Sequence, residues 1–495
     1  MTKIFITLSV MLGTLMQSLD STIANVALPH IRGSLAATQD QMSWVLTSYI
    51  VASAITIPLT GWLAGTVGRK KIFLASIAGF VLTSVLCGLT ENLTEMVLFR
   101  FLQGVSGAAL VPLSQSILFS INTKENYGKA MSIWGVGVTM GPVLGPLLGG
   151  FLTQNYSWRW VFYINVPIGI LAFLGLLFFF KESQTPSQKS SSSFDFMGFF
   201  TLSLGVAALQ IFLDRGELKD WFGSPEVIIE AVLSVLGFYW FFVHILTCKK
   251  PFINLELFND RNFSIATFLI FMLGVVLFAA LALIPPMLQD QLNYPVFTTG
   301  VVTAPRGLGI MLAMFISGRL VGHIDARHIT AIGFLITSFS LWQMSQYSLQ
   351  IDTWAIIYPG LIQGFGIGFS YIALSTIAFS RLPEALLNEG TAFFNLMRNL
   401  GSSIGISIVE TILTRNTQTV HATLSEYITP FYHSLHAISK TTLAGLNAMI
   451  TNQAAMVAYI DDYYLMMILT ALSIPLIFLL HAPSKEKEVE GTYEM

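Results

Sequence analysis

Long apolar stretches separated by short polar segments dominate the hydrophobic pattern of this chain. A helix needs about 20 mostly apolar residues to cross roughly 30 Å of hydrocarbon. Fourteen stretches have this character: 4–29, 43–66, 72–89, 95–119, 130–153, 161–180, 197–213, 226–247, 263–287, 298–321, 329–347, 356–380, 391–413 and 461–481. The pattern predicts an all-α membrane protein with 14 transmembrane helices.

The polar segments predict how the chain is arranged about the membrane. An even number of spans places both termini on one side, and most of the 25 Lys and Arg residues fall in loops on that side. Because cytoplasmic loops are enriched in Lys and Arg, both termini are predicted to be cytoplasmic. The Ser-rich segment 181–196 then becomes a cytoplasmic linker, and 414–460 becomes a long outside loop with partial helix.

Two pairs of similar segments indicate an internal repeat. Gly61–Gly65 resembles Gly318–Gly322, and Leu102–Gly107 resembles Ile362–Ile367, at offsets of 257 and 260 residues. Parallel repeats are typical of transporters whose halves move about a central site, and chance similarity of Gly-rich helices is the alternative. The predicted domains are a six-helix bundle at 1–182, a linker with two additional helices at 183–250, a second bundle at 251–482 and a cytoplasmic tail at 483–495.

Composition narrows the class of function. The chain is 54% hydrophobic and 11% charged, whereas soluble domains carry about 25% charged residues. A net charge of −2 gives no reason to expect a nucleic-acid partner, and two cysteines exclude a disulfide framework and a Cys-based metal site. Neither a GxxxxGK[ST] loop nor an HExxH motif occurs. We therefore expect no enzyme activity, no metal and no cofactor, with an ion gradient as the energy source.

Asp20 interrupts the first predicted span and is the strongest candidate for chemistry. A carboxylate near the middle of a bilayer costs about 2.5–3.5 kcal/mol on insertion scales, so it needs a partner, a wet cavity or a proton. Gln17 and Asn25 share a polar face with it at helical spacing. Asp20 is either a proton-coupling acid or a structural acid whose contacts fix the packing.

Arg100 lies in the fourth span with Gln103 on the same side of the helix. An arginine keeps its proton at any ordinary pH, so one at this depth must find hydrogen-bond acceptors. Asp20 is its closest chemical match in the first half. The alternative is that Arg100 extends to the membrane edge, because the span begins at about Glu95.

The second half carries intramembrane charges of its own, Arg306, Arg398 and Glu410. Two cations against one acid would suit anionic or weakly acidic substrates, and the alternative is that these residues anchor span edges at the interface. Together with polar residues of other spans they form the predicted cavity set: Gln17, Asn25, Gln103, Gln115, Arg306, Gln363, Arg398 and Glu410.

The fifth span has a regular pattern of glycine. Small residues at four-residue spacing let another helix approach closely, and proline bends a helix. The span carries Gly137, Gly141, Gly145 and Gly149 at that spacing, with Pro142 and Pro146 each following a glycine. Three consecutive GxxxG steps with two Gly-Pro pairs predict a bent helix in close contact with a neighbour.

Several of these segments resemble the major facilitator superfamily, and within it the fourteen-helix drug:proton antiporters of the EmrB/QacA type. Leu19–Pro29 is similar to the first-helix motif of that family, Gly61–Lys71 to the loop motif and Arg100–Gly104 to the fourth-helix motif. Gly141–Gly150 is similar to the antiporter motif. The resemblance covers nearly the whole chain, and loop 414–460 resembles the EmrB branch in particular.

The resemblance implies a role for each matching residue. Asp20 would be the proton-coupling acid, Arg100 its electrostatic modulator, and the Gly/Pro pattern a bend that seals the cavity. Gly61, Gly65, Gly68, Arg69 and Lys70 would form a conformational-switch loop, although the family usually has an acid where this chain has Gly65. The EmrB branch works with a periplasmic adaptor and an outer-membrane channel, which would place this chain in the inner membrane of a Gram-negative bacterium.

The expected function is proton-driven export of small amphipathic compounds, with membrane lipid as its surroundings. A dedicated exporter of one endogenous metabolite, such as a siderophore, is the nearest alternative. A membrane sensor or scaffold without transport is the alternative from another class. For loop 414–460, apolar residues such as Leu424 and Tyr427 predict either amphipathic helices on the membrane surface or a docking site for a partner.

Overall fold

The computed structural model describes residues 2–181, 194–248, 251–427 and 440–481, and all regular structure in them is helical. The tail predicted at 483–495 and most of the Ser-rich linker lie outside the described residues. Polar side chains start several helices at the loops. Asn92 accepts a hydrogen bond from the Glu95 backbone N–H at 2.9 Å, and Asp352 accepts one from Thr353 at 2.8 Å.

The first half contains ten helices, several of which pair to make one span. They are α1 (Thr2–Ser34), α2 (Gln39–Val67), α3 (Arg69–Leu89), α4 (Leu93–Gly107), α5 (Leu110–Ile121), α6 (Tyr127–Asn155), α7 (Trp160–Tyr163), α8 (Asn165–Phe179), α9 (Phe196–Arg215) and α10 (Pro225–Thr247). The second half contains α11 (Arg261–Pro286), α12 (Val296–Leu320), α13 (Ala326–Met344), α14 (Thr353–Ser380), α15 (Leu387–Glu426) and α16 (Lys440–Ile477).

Each of the fourteen predicted spans corresponds to one helix or to a consecutive pair, α4 with α5 and α7 with α8. Eleven spans are long and apolar enough to cross a membrane, and α6 makes a twelfth if its two arms are counted as one span. The helices α13 and α15 fall short of that apolarity but pack against other spans, which gives their polar groups protein partners. The prediction of an all-α, fourteen-helix membrane fold is confirmed.

Two groups of helices surround a central contact. In the first, α1 packs against α6 and α8, and α2 packs against α4; in the second, α12 and α13 pack against α14, and α11 packs against α15. The groups meet through α6 with α12 and through α2 with α15. The helices α9 and α10 pair with each other, and α9 lies against α2.

The predicted outside loop 414–460 is largely helical, and this changes its interpretation. Helix α15 continues to Glu426 and α16 begins at Lys440, so residues 428–439 are the part outside the description. At about 1.5 Å per residue, a helix of 40 residues is roughly twice as long as the hydrocarbon is thick. The helices of this region are continuous with the last two spans and do not form separate elements.

The extensions of α15 and α16 pair with each other. Asn416 Nδ2 donates to Asp461 Oδ2 at 3.1 Å, and His421 Nε2 lies 3.1 Å from Asn447 Oδ1. We call residues 414–427 with 440–460 the hairpin, and the side of the protein that carries it the hairpin end. The opposite side, which carries the α2–α3 turn at Gly68, is the loop end.

Candidate functional site

Asp20 and Arg100 form a buried ion pair between α1 and α4. Arg100 Nη1 lies 2.7 Å from Asp20 Oδ2, with the two side chains 1% and 0% exposed. Arg100 Nη1 also donates to Gln103 Oε1 at 2.8 Å, and its Nε donates to the Val45 carbonyl oxygen at 3.2 Å. The alternative in which Arg100 extends to the membrane edge is therefore wrong, because its donors are used inside the bundle.

Two amides complete the shell of the carboxylate. Gln103 Nε2 and Asn165 Nδ2 both donate to Asp20 Oδ1 at 2.9 Å. Asn165 Nδ2 also donates to Ser84 Oγ at 2.9 Å. The ring of Tyr49 lies under the guanidinium, 4.4 Å from ring centroid to Cζ of Arg100. Both carboxylate oxygens of Asp20 thus accept hydrogen bonds from buried donors.

Sequence reasoning missed Asn165, which starts α8 and is fully buried. Its signal was present, since a single amide near the start of an otherwise apolar span has few reasons to be there except a buried partner. The polar face predicted beside Asp20 points elsewhere. Gln17 is half-buried and Asn25 is exposed, and neither is among the donors to the carboxylate described above.

The glycines of α6 form the seam along which α1 lies. Ser18 Oγ donates to the Val138 carbonyl oxygen at 2.9 Å, and Thr22 Oγ1 donates to the Gly141 carbonyl oxygen at 3.2 Å. A Cβ at any of the four glycines would meet α1; the facing residues are Met11 for Gly137, Ser18 for Gly141, Thr22 for Gly145, and Ile23 with Val26 for Gly149. Close packing of this helix is therefore observed, with Asp20 midway along the seam.

The helix α6 also bends, as its prolines predict. Its two arms meet at about Gly145 to Leu147 with an angle of 40°. Pro142 is half-buried, and the side chain of Pro146 lies outside the described residues.

The segment predicted to be a conformational switch lies at the loop end. Gly68 has a φ of 106° and ends α2 and starts α3, a backbone conformation that favours glycine. Lys70 Nζ donates to the Leu177 carbonyl oxygen at 2.8 Å, and Arg69 has partners of its own. A Cβ at Gly61 would lie 2.9 Å from Glu389 Cα, whereas one at Gly65 would meet nothing. Gly61 therefore permits contact between the two helix groups.

Polar contacts near the loop end join the two groups. Asn395 Nδ2 donates to Gln115 Oε1 at 2.6 Å, and Gln115 Nε2 donates to the Tyr371 hydroxyl at 3.1 Å. Ser116 Oγ donates to Asn388 Oδ1 at 2.5 Å. Gln115, one of the predicted cavity residues, takes part in this contact between the bundles.

The charged residues of the second half do not come together as one cluster. Arg306 is 4% exposed on α12, and Gln363 is fully buried on α14. Arg398 is half-buried and lies 3.5 Å from the Tyr371 hydroxyl, whereas Glu410 is exposed on α15. Of the predicted cavity residues in the second half, Arg306 and Gln363 are thus the two that are buried.

Comparisons with known proteins fit this arrangement. The family model described as Major Facilitator Superfamily matches residues 10–406. This chain belongs to that superfamily. Its members are transporters, which are generally not enzymes.

Curated relatives within the superfamily include drug exporters. The chain is 37% identical over 436 residues to the Multidrug export protein EmrB of Escherichia coli K12, covering 88% of this chain and 85% of that protein. It is 35% identical over 492 residues to the Fatty acid resistance protein FarB of Neisseria gonorrhoeae, covering 97% and 96%. The predicted membership of the EmrB branch of these transporters is confirmed.

Solved structures agree with the superfamily fold. The proton:xylose symporter XylE superposes with a TM-score of 0.66 at 12% identity, covering 97% of this chain and 96% of that one. The human organic anion transporter MFSD10 superposes with a TM-score of 0.60 at 13% identity, covering 94% and 98%. At such low identity, both show the fold alone.

Proposed function

We propose that this superfamily member is a proton-driven exporter of small amphipathic compounds, located in a bacterial inner membrane with both termini in the cytoplasm. The observation that carries the proposal is the buried Asp20–Arg100 pair, beside the glycine seam of α6. An acid inside a membrane bundle is energetically costly, so its presence indicates a role in transport or packing. Asp20 has a permanently charged arginine beside it. The curated relatives named as exporters support the direction of transport.

The pair couples protonation to packing through its hydrogen bonds. When Asp20 binds a proton, it loses its negative charge, and Arg100 loses its only described carboxylate partner. The guanidinium then needs other acceptors. Because the ion pair joins α4 to α1, its loss weakens the contact between these two helices. Because α1 also lies on the α6 seam, a change at Asp20 reaches the helix that contacts α12 in the other bundle. A proton gradient supplies about 2.3 kcal/mol per charge per 100 mV for this cycle.

The substitution Asp20→Asn tests the coupling. It preserves the size of the side chain and removes the ability to exchange a proton, so export driven by a pH gradient into proteoliposomes should be lost. A suitable control is Asp352→Asn, since this acid is exposed and caps α14, a role that Asn fills equally well. Coupled flux at the wild-type rate in Asp20→Asn would overturn the proposal.

We further propose that the hairpin docks a periplasmic adaptor, which would make this protein the inner-membrane pump of an efflux assembly with an outer-membrane channel. Three apolar side chains of the hairpin are exposed: Tyr427 by 75%, Leu443 by 48% and Met449 by 69%. Exposed apolar groups on a projection beyond the membrane favour a protein interface. The name of the EmrB relatives does not itself supply this partner, so the proposal rests on the surface and the family resemblance.

Replacing these three residues by Ser tests the docking. The variant should lose drug resistance in Gram-negative cells and co-purification with an adaptor, while purified protein still exchanges protons for substrate in liposomes. A matched control changes three hairpin threonines, Thr419, Thr423 and Thr451, to Ser, which leaves the apolar groups in place. Full cellular resistance in the first variant would show that the hairpin has no such partner.

A further inference from the structure

The internal repeat places two helix crossings in matching positions. In the first bundle, the backbone of Gly104 on α4 lies against the Tyr49 carbonyl group on α2. In the second bundle, the backbone of Gly364 on α14 lies against the Arg306 carbonyl group on α12. Gly104 and Gly364 differ by 260 residues, and Tyr49 and Arg306 by 257, the same offsets as the sequence repeat. The contacts thus support the repeat independently of the sequence similarity.

The offsets also show which residues of the second bundle correspond to the polar residues around Asp20 in the first bundle. Gln363 corresponds to Gln103, and Gly360 corresponds to Arg100. The side chain of Arg306 packs at that glycine, since a Cβ built on Gly360 would lie 3.9 Å from Arg306 Cβ. The second bundle therefore has an arginine and a glutamine near each other, as the first has, but its arginine comes from α12 instead of α14.

The second bundle has no acid at the positions that correspond to Asp20. The positions that correspond to Asp20 are 277–280 on α11, which read Leu-Phe-Ala-Ala. Arg306 Nη2 donates to the Leu277 carbonyl oxygen at 3.1 Å. Among the described residues no carboxylate forms an ion pair with Arg306, and the titratable side chains close enough to act on its charge are Tyr463 and Tyr347.

Several buried polar atoms around Arg306 have no protein partner. They are Nε and Nη1 of Arg306, both amide atoms of Gln363 and the hydroxyl of Tyr347. Arg306 is 4% exposed, Gln363 0% and Tyr347 5%. A buried cation with two unused donors is strongly unfavourable, and a carboxylate oxygen pair is the acceptor that a guanidinium prefers. In the first bundle Asp20 supplies that acceptor.

We propose that Arg306, with Gln363 and Tyr347, forms a recognition site in the second bundle for the carboxylate headgroup of an exported amphiphile. This inference rests on the proposed export function and names a substrate class for it. The arginine would bind the carboxylate where the first bundle uses its own Asp20, and Gln363 would donate to the same group as Gln103 does. The apolar side chains packed between α11, α12 and α16, such as Met287 and Met466, would accommodate the chain of the amphiphile.

The test compares three probes of equal chain length that differ in headgroup charge: dodecanoate, dodecanol and dodecyltrimethylammonium. Binding to purified protein is measured in nanodiscs of phosphatidylcholine, which carries no net charge. Wild type should bind dodecanoate more tightly than dodecanol. Arg306→Gln should weaken dodecanoate binding by roughly ten- to a hundredfold and leave dodecanol unchanged, as expected for loss of a hydrogen bond to a charged group.

Two further variants keep the result interpretable. Arg306→Lys retains the charge without the planar donor pair and should restore part of the dodecanoate affinity. Arg319→Gln changes an exposed arginine at the other end of the same helix and should bind all three probes as wild type does. Equal dodecanoate affinity in wild type and Arg306→Gln would overturn the inference, as would an equal loss for all three probes, which signifies general damage.

A lipid headgroup is the other source of an anion at this site. If phosphatidylglycerol added to the nanodiscs displaces dodecanoate while dodecanoate export stays unaltered, the site belongs to lipid and the inference fails. Export by the wild type in proteoliposomes tests the proposed function separately. If it moves none of the probes, the proposed function fails, and the binding comparison still decides the recognition site.

Discussion

The seam between α1 and α6 gives the sharpest prediction about how Asp20 is held. Gly141 and Gly150 lie on the same helix, but only the first touches α1. A Cβ at Gly141 would lie 2.7 Å from the carbonyl carbon and 2.7 Å from Cβ of Ser18, whereas one at Gly150 would have no atom within 4 Å. Gly141→Ala and Gly150→Ala are therefore the same chemical change in a packed and an open position.

The expected energies follow from two opposing terms. Alanine is favoured over glycine inside a helix by roughly 0.5–1 kcal/mol, and this term is common to both variants. Overpacking a close contact costs about 1–3 kcal/mol, and only Gly141→Ala has this cost, because the carbonyl carbon and Cβ of Ser18 cannot rotate away. The difference between the two variants isolates the steric term, at about 1–3 kcal/mol. Gly150→Ala alone should be neutral or slightly stabilising.

Thermal unfolding in nanodiscs and proton-coupled export measure the two consequences. Gly141→Ala should unfold at a lower temperature than Gly150→Ala and should export more slowly, because α1 must move and carries Asp20 with it. Wild-type rates in Gly150→Ala establish that alanine is tolerated elsewhere in α6. Equal unfolding temperature and equal flux in both variants would refute the reasoning, since α1 would then have no close seam to disturb.

Two further predictions concern polar contacts. Asn165→Ala should lower stability by about 1.5–3 kcal/mol, because a donor to the charged Asp20 is lost; thermal unfolding checks this against Asn155→Ala, whose exposed amide bonds only its own helix. Unchanged unfolding in Asn165→Ala would contradict it. Asn395→Leu removes a buried hydrogen-bond donor to Gln115. The fraction of molecules in which the two helix groups are separated at the loop end should then rise about fivefold or more. Spin labels at Val67→Cys and Glu384→Cys would report this as longer distances, and an unaltered distribution would contradict it.

The sequence predicts the spans because the hydrocarbon thickness requires an apolar stretch of about 20 residues in each, and such stretches are visible in the sequence. For 414–460 it predicts partial helix but not how far α15 and α16 extend, because a helix that leaves the membrane needs no long apolar run. Thr419, Thr423 and Asn447 are ordinary polar residues of a solvated helix, and local composition does not separate them from a loop. The polar side chains that join the two extensions come from positions far apart in the chain, so no window contains both partners.

The site residues divide in the same way. The pairing of Asp20 with Arg100 was inferable from charge and depth, since each needs what the other offers. The contacts of Asn165 and Ser84 were not predicted, because a single amide or hydroxyl in an apolar span indicates that a buried partner exists but does not identify it. For Glu410 the sequence left two alternatives, a cavity residue and an interface anchor. Its exposure depends on which face of α15 its neighbours cover, and a charge alone does not specify that face.

The two bundles differ in whether their buried arginine has a carboxylate partner. Under the proposed function, that difference determines how the membrane voltage acts on transport. The first bundle holds Asp20 and Arg100 together, and under the proposed function what it exchanges with solution is a proton. In the second bundle Arg306 forms no ion pair with a described carboxylate, so the charge it would take up from a substrate is negative. Exchange of one entering proton for one leaving carboxylate moves two charges in the same electrical sense, because a cation enters and an anion leaves. Each contributes roughly 2.3 kcal/mol per 100 mV, so a negative interior favours export of the anion about twice as strongly as export of a neutral molecule. A cation leaving against the same proton would gain nothing from the voltage. A substrate carboxylate bound at Arg306 would therefore be favoured by the membrane voltage as well as by contact.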